Sequence, residues 1–431
     1  MTKTNLELLS PDIIEQYQFE KLLQLLHYVE KNSPFYKKLF STNNININDI
    51  RSLLDLNKLP TTTKDDIQLQ NWNFLSVSKN EIREYTTTSG TSGTPVTIAL
   101  TKSDLERLAY NEFLSYQCIG VVENEVIQLA LTLDKQFMAG IAYYLGADKA
   151  KCTVVRTGPG LASMQWETIF RVNTTTLVIV PSFILKLIEF ANENGIDLSN
   201  TPVKRALCIG ENLRNENFEL NNIAKKIKEK WDIELFSTYA SSEMQSAFTE
   251  CIEGNGGHLH PELLIAEVLD DDGKAVEPGK IGELTITTLG IEGMPLIRYR
   301  TGDLCTMYIT PCKCGRNTPR ISPIMGRKQQ MIKFKGTTLY PPAIFEILNA
   351  QKDIKDYLVE VTTNELGTDD ILIHIAASEE TEKLTASLKS YLHASLRVRP
   401  EIKFSAIEEI QKQQVNAIGR KLSKFIDKRK P

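Results

Sequence analysis

Hydrophobic residues recur at helical spacing near the start of the chain and in short blocks further on. Between Pro11 and Asn32 they roughly keep a 3.6-residue period, which predicts a helix that Pro34 ends. From about Lys102 onward, strand-like apolar runs alternate with amphipathic stretches. We predict helices at 103–117, 163–172, 182–194 and 216–230, and strands at 126–133, 152–156, 176–180, 205–209 and 233–236. This alternation predicts a mostly parallel sheet with helices on both faces.

The pattern changes character twice more along the chain. After Glu243 it becomes β-rich, with strands expected at 263–269 and 283–288. A polar, basic segment at 327–336 then precedes a last stretch with its own apolar faces. There we predict helices at 343–350 and 380–396, and strands at 357–362, 371–376 and 402–405. The sequence therefore predicts an α/β protein with a large N-terminal domain, 1–328, and a small α+β domain, 329–431.

Helix starts are predicted from capping residues. Ser103 with Glu106 forms the pattern of a capping box, and Ser182 precedes an amphipathic run that Gly195 ends. We therefore expect Ser103 and Ser182 to cap the helices that follow them.

Composition excludes several classes of protein. The 431 residues hold 50 Lys plus Arg against 54 Asp plus Glu, a net charge of −4, whereas nucleic-acid binders normally carry a basic surplus. The first twelve residues lack the apolar core of a secretory signal, and no uncharged apolar stretch reaches the ~18 residues of a membrane span. Seven cysteines, an odd count in a long chain, suit a reducing compartment. We expect a cytoplasmic protein that binds neither nucleic acid nor membrane.

A hydroxyl-rich loop is the most informative segment for chemistry. Residues 86–95 read TTTSGTSGTP, with seven hydroxyl side chains around two glycines. Glycines let backbone N–H groups approach an anion, and hydroxyls add short donors, so such a loop can wrap a polyphosphate. It is not a Walker A loop, because no Gly-Lys-Ser/Thr follows. A flexible Ser/Gly linker is the alternative, although a strand-like run follows at once.

Two further clusters combine polar groups near predicted strands. Ser237–Glu243, reading STYASSE, follows a predicted strand, where α/β sheets bind ligands. Its tyrosine could stack on a base and its carboxylate could hold Mg²⁺. The alternative is a helix N-cap with Glu243 in the first turn. Arg298–Leu304, reading RYRTGDL, places a carboxylate beside a turn glycine and could bind a ribose, or form only a surface Arg–Asp pair.

Taken in order, these elements and a late lysine resemble the adenylate-forming superfamily. Within it the chain is similar to the phenylacetate–CoA ligase family, through NSPFY at 32–36, LPTTTK at 59–64 and TTL…PLIRYRT at 287–301. The resemblance covers nearly the whole chain. It implies a large adenylate-forming domain and a small mobile C-terminal domain. It also implies that a carboxylate attacks the α-phosphorus of ATP, and that coenzyme A then displaces AMP from the acyl-adenylate.

The resemblance assigns nucleotide-binding roles residue by residue. It implies contacts to the β- and γ-phosphates from Thr87, Thr88, Ser89, Gly90, Thr91, Ser92, Gly93 and Thr94. It implies a nucleotide pocket formed by Gly210, Glu211, Asn212, Thr238, Tyr239, Ala240 and Ser241. Ser242 would contact the α-phosphate and Glu243 would bind Mg²⁺. Asp303 would hold the ribose, with Arg327 nearby.

The C-terminal domain is implied to carry the catalytic lysine. Lys421 would bridge the carboxylate and the phosphate during adenylation, although the basic residues around it are also typical of a solvated face. Lys335 and Gly336 would lie near the pantetheine arm of coenzyme A in the second step. The family's Gly-Lys pair is displaced by one residue here, because Arg420 separates Gly419 from the lysine.

Two other departures from the family pattern affect the pocket and the hinge. Ala240 stands where the family usually has glycine, and its methyl group should narrow the acyl pocket, which favours a small or flat acid. Gln329 replaces the usual acidic hinge residue.

A separate set of residues has metal-binding chemistry. Cys251, His258, Cys312 and Cys314 form one Cys₃His set, and zinc takes thiolate and imidazole ligands tetrahedrally. We predict structural zinc there. The spacing is not that of a standard zinc finger, so reduced free cysteines are the alternative, and His260 is a rival fourth ligand. The other cysteines lie in apolar runs and are expected in the core.

These observations lead to an AMP-forming acyl–CoA ligase for an aryl, phenylacetate-like or small carboxylic acid, using ATP, Mg²⁺ and coenzyme A. A stand-alone adenylyltransferase or a ligase that charges a carrier protein is the alternative within the same chemistry. A nucleotide-binding regulatory protein with a degenerate site is the alternative outside it. The N-terminal helices offer a face on which two copies could form a homodimer.

Overall fold

The chain divides into two compact units. The computed structural model describes residues 5–88, 95–334, 337–364, 369–379, 381–415 and 423–429. The first unit comprises Met1–Leu220, Ala224–Thr301 and Cys305–Pro323, and the second comprises Asn221–Ile223, Gly302–Leu304 and Ile324–Pro431. The long segment of the second unit thus begins at Ile324, while a functional domain boundary between 328 and 329 stays a prediction.

The N-terminal elements are helices α1 (Pro11–Asn32), α2 (Pro34–Thr42) and α3 (Lys64–Gln70), and strands β1 (Ile82–Thr87) and β2 (Thr97–Thr101). Helix α1 has the predicted bounds, and its apolar stripe, including Leu22, Leu26 and Val29, is fully buried. Pro34 ends α1 and also begins α2, because proline fits the first position of a helix, and the Ser33 hydroxyl caps it by accepting from the Tyr36 N–H. Strands β1 and β2 pair antiparallel.

Strands and helices then alternate as predicted, although the helix at Met138–Lys149 was not among those predicted. The elements are α4 (Lys102–Cys118), β3 (Val126–Leu129), α5 (Met138–Lys149), β4 (Thr153–Arg156), α6 (Ala162–Val172), β5 (Thr176–Ile179), α7 (Pro181–Glu193), β6 (Arg205–Ile209), α8 (Asn222–Lys228) and β7 (Glu234–Ser241). Strands β4, β3, β5, β6 and β7 lie side by side in this order, all parallel. The prediction of a parallel α/β sheet is confirmed.

The sheet continues into the β-rich part of the chain. The elements are β8 (Ser246–Glu250), β9 (Gly257–His258), β10 (Leu264–Leu269), β11 (Ile281–Thr288), β12 (Tyr299–Tyr308), β13 (Arg320–Ile321) and β14 (Gly326–Arg327). Beyond β7 the strand order is β8, β9, β13, β12, β11 and β10, with β14 beside β12. Strand β8 pairs antiparallel with β7, so the sheet changes from parallel to antiparallel at that point.

Three sequence predictions of helix ends were wrong. Helix α4 is capped by Thr101 with Asp104, not by Ser103 with Glu106. Ser182 lies inside α7, because Pro181 takes the first helical position. Helix α8 does not start near residue 216, because residues 215–219 form a turn in which the Asn215 side chain accepts from backbone N–H groups and Phe218 adopts a positive φ.

The second unit contains a four-stranded sheet among its described residues. Its elements are β15 (Ile332–Phe334), β16 (Thr337–Leu339), α9 (Pro341–Ala350), β17 (Ile354–Thr363), β18 (Asp369–Ala377), α10 (Glu382–Leu396), β19 (Glu401–Phe404), α11 (Ile407–Gln414) and β20 (Phe425–Asp427). The strand order is β19, β18, β17 and β20, and β15 pairs with β16. Apolar residues such as Ile344, Val359 and Ile373 form its own core. None of the helices in the described ranges combines the length and apolar character needed to cross a bilayer.

Candidate functional site

The hydroxyl-rich loop is held at its base by a β-hairpin. Thr87, the last residue of β1, pairs with Thr97 of β2. Thr88 is buried, and its hydroxyl accepts from the Val96 N–H at 3.0 Å while its own N–H donates to the Val96 carbonyl. The loop thus joins two paired strands of one unit, and its role in phosphate binding stays a prediction. Ser89–Thr94 themselves lie outside the described residues.

Two neighbouring parallel strands bring the predicted nucleotide-binding residues to one edge of the sheet. Strands β6 and β7 are in register from Arg205↔Glu234 to Ile209↔Thr238. Gly210, Glu211 and Asn212 follow the carboxyl end of β6, and Tyr239, Ala240 and Ser241 end β7. Gly210 has a φ of 77°, which a residue with a Cβ adopts only with strain. Ligands of α/β sheets bind at such carboxyl edges.

Individual side chains at this edge have different surroundings. Glu211 accepts from the N–H and the hydroxyl of Ser182 at 2.9 and 2.8 Å, so its carboxylate lies at the N-terminus of α7. The Thr238 hydroxyl is buried against that of Thr249 at 3.0 Å. Ala240 is exposed and Tyr239 is half-buried. Their contacts with a nucleotide stay predictions.

Ser242 and Glu243 lie in a tight turn between β7 and β8. Ser241 pairs with Ser246, and the Gln245 N–H donates to the Ser241 carbonyl at 3.2 Å. The alternative of a helix N-cap here is therefore wrong, since the chain reverses into an antiparallel strand instead. Both Ser242 and Glu243 are partly exposed in this turn. A partly exposed carboxylate can offer its oxygens to a divalent cation.

Helix α4 anchors this turn from behind. The buried Arg107 guanidinium donates to the carbonyls of Gln245, Leu289 and Leu263 at 2.8, 2.6 and 2.6 Å. The Asn111 carboxamide oxygen accepts from the Ser246 hydroxyl and the Ala247 N–H. Burial lowers the pKa of Arg107 to about 10, so it stays charged at neutral pH. Sequence reasoning missed both positioning residues, because nothing in the helical pattern of α4 indicates what their side chains contact.

The same helix, α4, also carries a buried carboxyl group. Glu112 is fully buried, and burial raises the pKa of its carboxyl to about 8, despite hydrogen bonds from Ser115 and Asn111. Gly146 of α5 packs directly against its Cβ, so no larger residue fits there without a shift. The carboxyl is therefore mostly protonated at neutral pH and acts as a polar core group.

Asp303 and Arg327 are paired in the second unit. They face each other across β12 and β14, and Arg327 Nε lies 3.2 Å from Asp303 Oδ1. The two arginines of the RYRTGDL segment form ion pairs with other residues: Arg298 contacts Glu267 and Arg300 contacts Glu283. Asp303 therefore does not pair with its sequence neighbours, and its partner is the residue that the resemblance assigns beside it.

Three predicted site residues of the C-terminal domain cannot be placed. Lys335, Gly336 and Lys421 lie outside the described residues. Their roles in coenzyme A binding and in adenylation stay predictions.

The four residues of the Cys₃His set converge in the first unit. The ligand atoms of Cys251, His258, Cys312 and Cys314 all lie within 4.8 Å of one another. Cys251 Sγ and Cys312 Sγ are 3.7 Å apart, and Cys314 Sγ lies 3.6 Å from His258 Nε2. A tetrahedral zinc with Zn–S distances near 2.3 Å would place two thiolates about 3.8 Å apart. The set therefore fits a tetrahedral ion.

Electrostatics and outer contacts also suit a metal. Burial by itself raises the pKa of the Cys314 thiol, but its contacts with His258 and Arg316 lower that pKa to about 5. Thr318 contacts His258 Nδ1 at 3.2 Å and so leaves Nε2 directed at the cluster. His260, the rival ligand, instead contacts Glu7. Burial by itself raises the pKa of the Glu7 carboxyl, but the contacts with His260 and Arg316 lower that pKa to about 2.

The turn after β6 and the Ser242–Glu243 turn after β7 lie at one edge of the sheet, in an α/β fold shared with the adenylate-forming enzymes. A family model described as AMP-binding enzyme matches residues 34–292, more than half of the chain. The chain therefore belongs to this family, and the resemblance drawn from its motifs is confirmed.

Curated relatives are phenylacetate–coenzyme A ligases. The enzyme of Thermus thermophilus is 28% identical over 384 residues, covering 88% of this chain and 85% of that enzyme. The Escherichia coli enzyme is 27% identical over 407 residues, covering 91% and 89%. Among solved structures, 2-hydroxyisobutyryl-CoA ligase in the postadenylation state with 2-HIB-AMP has a TM-score of 0.86 at 20% identity, covering 98% and 91%. That likeness establishes the adenylate-forming fold.

Proposed function

We propose that this chain is an AMP-forming acyl–CoA ligase, which joins a carboxylic acid to coenzyme A through an acyl-adenylate. The observation that carries the proposal is the shared sheet edge at the ends of β6 and β7, followed by the turn that holds Ser242 and Glu243. Family membership supports ATP as the substrate of the first step. Relatives that are phenylacetate–coenzyme A ligases over about nine-tenths of the chain support coenzyme A as the acceptor.

The proposed chemistry needs positive charge and donors around the phosphates. As the acid attacks the α-phosphorus and pyrophosphate leaves, negative charge develops on the phosphate oxygens. The loop 87–94 and Ser242 would donate to these oxygens, and Lys421 would neutralise charge between the carboxylate and the α-phosphate. Glu243 would hold Mg²⁺, which offsets phosphate charge when bound. The second domain would then rotate, bringing Lys335 and Gly336 toward the coenzyme A arm.

We propose a small or flat acid as the substrate. The methyl group of Ala240 is exposed at the end of β7, where the acyl group is expected. The sequence also places four large residues, Phe137, Met138, Tyr143 and Tyr144, in a stretch expected to border the acyl pocket. Met138 and Tyr143 are buried core residues, while Tyr144 is partly exposed. The named relatives act on phenylacetate and on 2-hydroxyisobutyrate, one flat and one small acid. Flat aromatic acids and small aliphatic acids should therefore both be assayed as substrates.

A carboxylate panel tests this function. The purified chain is incubated with ATP, Mg²⁺ and coenzyme A plus one acid at a time, including phenylacetate, benzoates and short hydroxy acids, and AMP release is measured. We expect AMP and the acyl–CoA to form in equal amounts with at least one acid. Acid-dependent pyrophosphate release without AMP or acyl–CoA formation would favour a stand-alone adenylyltransferase or a carrier-protein ligase. ATP binding without AMP formation on any acid would contradict the proposal.

We also propose that the Cys₃His cluster holds a structural zinc ion, whose bonds would cross-link β8, β9 and the loop before β13. Its support is the convergence of four ligand atoms with spacing suited to a tetrahedral ion. The cluster belongs to the first unit and carries no step of the reaction. An odd count of seven cysteines in a long chain suits a reducing compartment, so we propose a cytoplasmic location. Homodimer formation stays a prediction.

Metal analysis tests the zinc site. We expect about one zinc per chain in protein purified without chelator, because four preorganised ligands bind zinc tightly. Cys312→Ser should lower the zinc content well below one, since it removes a thiolate from the cluster. Cys152→Ser, at a half-buried cysteine outside the cluster, is the matched control and should retain the metal. A metal-free wild type would show that the cysteines are simply reduced.

A further inference from the structure

The N-terminal segment buries a carboxylate beside the Cys₃His cluster. Glu7 lies in a short 3₁₀ helix, Leu6–Leu8, and its side chain is completely buried. Glutamate is seldom fully buried unless it is paired, so its surroundings require an explanation. The catalytic chemistry proposed above makes no use of this residue.

Each carboxylate oxygen of Glu7 contacts a residue two positions after a proposed zinc ligand. Oε1 lies 2.5 Å from His260 Nδ1, and Oε2 lies 2.5 Å from Arg316 Nε. Arg316 in turn points Nη1 at Cys314 Sγ, 3.6 Å away. Glu7 is therefore linked to the sulfur of Cys314 through one guanidinium group.

Backbone hydrogen bonds fasten the same segment to the Cys-x-Cys loop. The Asn317 N–H donates to the Glu7 carbonyl at 2.8 Å, and the Asn317 carboxamide donates to the Leu9 carbonyl at 2.9 Å. Gly315 of this loop adopts a φ of 91°, and a Cβ added there would lie 3.8 Å from Leu8 Cδ2. The segment and the loop are more than 300 positions apart in sequence, yet each supplies partners for the other.

We propose that Glu7 is a positioning residue of the zinc site, and that docking of the N-terminal segment and zinc binding stabilise each other. The proposal rests on the zinc site proposed above. Zinc with three thiolates and one imidazole carries a net negative charge, which the Arg316 guanidinium offsets. Glu7 fixes that guanidinium in place. Residues that orient ligands in this way typically change metal affinity by about 10–100-fold when replaced.

Coupling between zinc binding and docking of the N-terminal segment acts in both directions, so it can be measured at the zinc site and at the segment. If Glu7 tightens zinc binding by some factor, zinc must favour the docked segment by the same factor. Removing zinc should therefore increase opening of the segment, without any mutation. Opening exposes the N–H groups of Leu8 and Leu9, which donate to the Asn5 and Leu6 carbonyls in the docked state.

Zinc affinity is the first measurement. Apo-protein is titrated with zinc in competition with a chromophoric chelator, for wild type, Glu7→Gln and Glu15→Gln. Glu7→Gln keeps the size and the acceptor but removes the charge, and we expect it to bind zinc about 10–100-fold more weakly than wild type. Glu15 is exposed on α1, so Glu15→Gln is the matched control and should bind zinc as wild type does.

Hydrogen exchange of the wild-type chain is the second measurement, and it needs no variant to fold. We expect chelation of zinc to speed exchange in the peptide 5–10 by a factor of about 10 or more. Strand β17, in the second unit, should exchange at an unchanged rate. Equal zinc affinity of Glu7→Gln and Glu15→Gln, or unchanged exchange in 5–10, overturns the coupling while the zinc site stands. A wild type that takes up no zinc overturns both.

Discussion

Replacing Lys421 by alanine is expected to reduce ATP–pyrophosphate exchange by about 10²–10³-fold or more, because it removes the positive charge that the resemblance places between carboxylate and α-phosphate. The same variant should still form thioester from a synthetic acyl-adenylate and coenzyme A, since the carboxyl group of that substrate already carries AMP as its leaving group. Measuring the two half-reactions separately is what distinguishes a catalytic lysine from a residue needed for folding, which would impair both.

Arg420→Ala is the matched control for this variant. Arg420 precedes Lys421 in the segment where the family's Gly-Lys pair is displaced by one residue, so it is the competing candidate for the role. We expect Arg420→Ala to keep exchange within a few fold of wild type. If exchange survives in Lys421→Ala and is lost in Arg420→Ala, the catalytic assignment moves to Arg420. If it survives in both, neither residue is the adenylation group.

Replacing Arg107 by methionine is expected to lower the free energy of unfolding of the first unit by about 3–5 kcal/mol. The guanidinium donates to three buried carbonyls, and its removal leaves acceptors without their donor. One of these carbonyls belongs to Gln245, which closes the turn carrying Ser242 and Glu243. Adenylation should therefore fall by about 10–100-fold even where the fold persists, because small displacements of positioning groups are costly.

Calorimetry and pyrophosphate exchange measure the two effects. Arg107→Met should lower the melting temperature of its unit by about 5–10 °C. Arg171→Met is the matched control, since Arg171 is exposed on α6 and makes only an i,i+4 ion pair with Glu167, so it should stay within about 0.5 kcal/mol of wild type. Arg107→Lys keeps the charge, but a single ammonium group cannot reach all three carbonyls. A normal adenylation rate in folded Arg107→Met would show that the turn does not depend on α4.

The spacing of apolar residues along the chain predicted those helices and strands in which buried residues recur at a regular interval. Helix α1 and strand β6 have the predicted bounds, because periodic apolar residues and proline specify where such an element packs and ends. Helix caps were less predictable. Thr101 and Ser103 both offer a hydroxyl at the start of α4. Asp104 decides in favour of Thr101, because its carboxylate accepts from the Thr101 N–H and also from the N–H groups of Glu292 and Gly293. That choice depends on residues nearly 190 positions away.

For the predicted sites too, the sequence identified the residue types, while their arrangement depended on contacts between distant parts of the chain. The Cys₃His set could be identified from residue types alone, because thiols and imidazole are specific in their chemistry, and its convergence bears out the grouping. The choice of His258 over His260 needed coordinates, since both histidines are buried and only their partners differ. The turn at Ser242–Glu243 could be located by motif, whereas its hairpin geometry follows from the pairing of β7 with β8.

Periodicity and motifs were enough to predict the parallel α/β architecture, the resemblance to adenylate-forming enzymes and the groups that can bind phosphate or metal. The side chains that hold those groups in place, among them Arg107 at the Ser242–Glu243 turn and Glu7 beside the Cys-x-Cys loop, could be found only from the folded chain. Periodicity is a local property that shows which face of a segment is buried. A buried charge, in contrast, is stabilised by partners from any part of the chain.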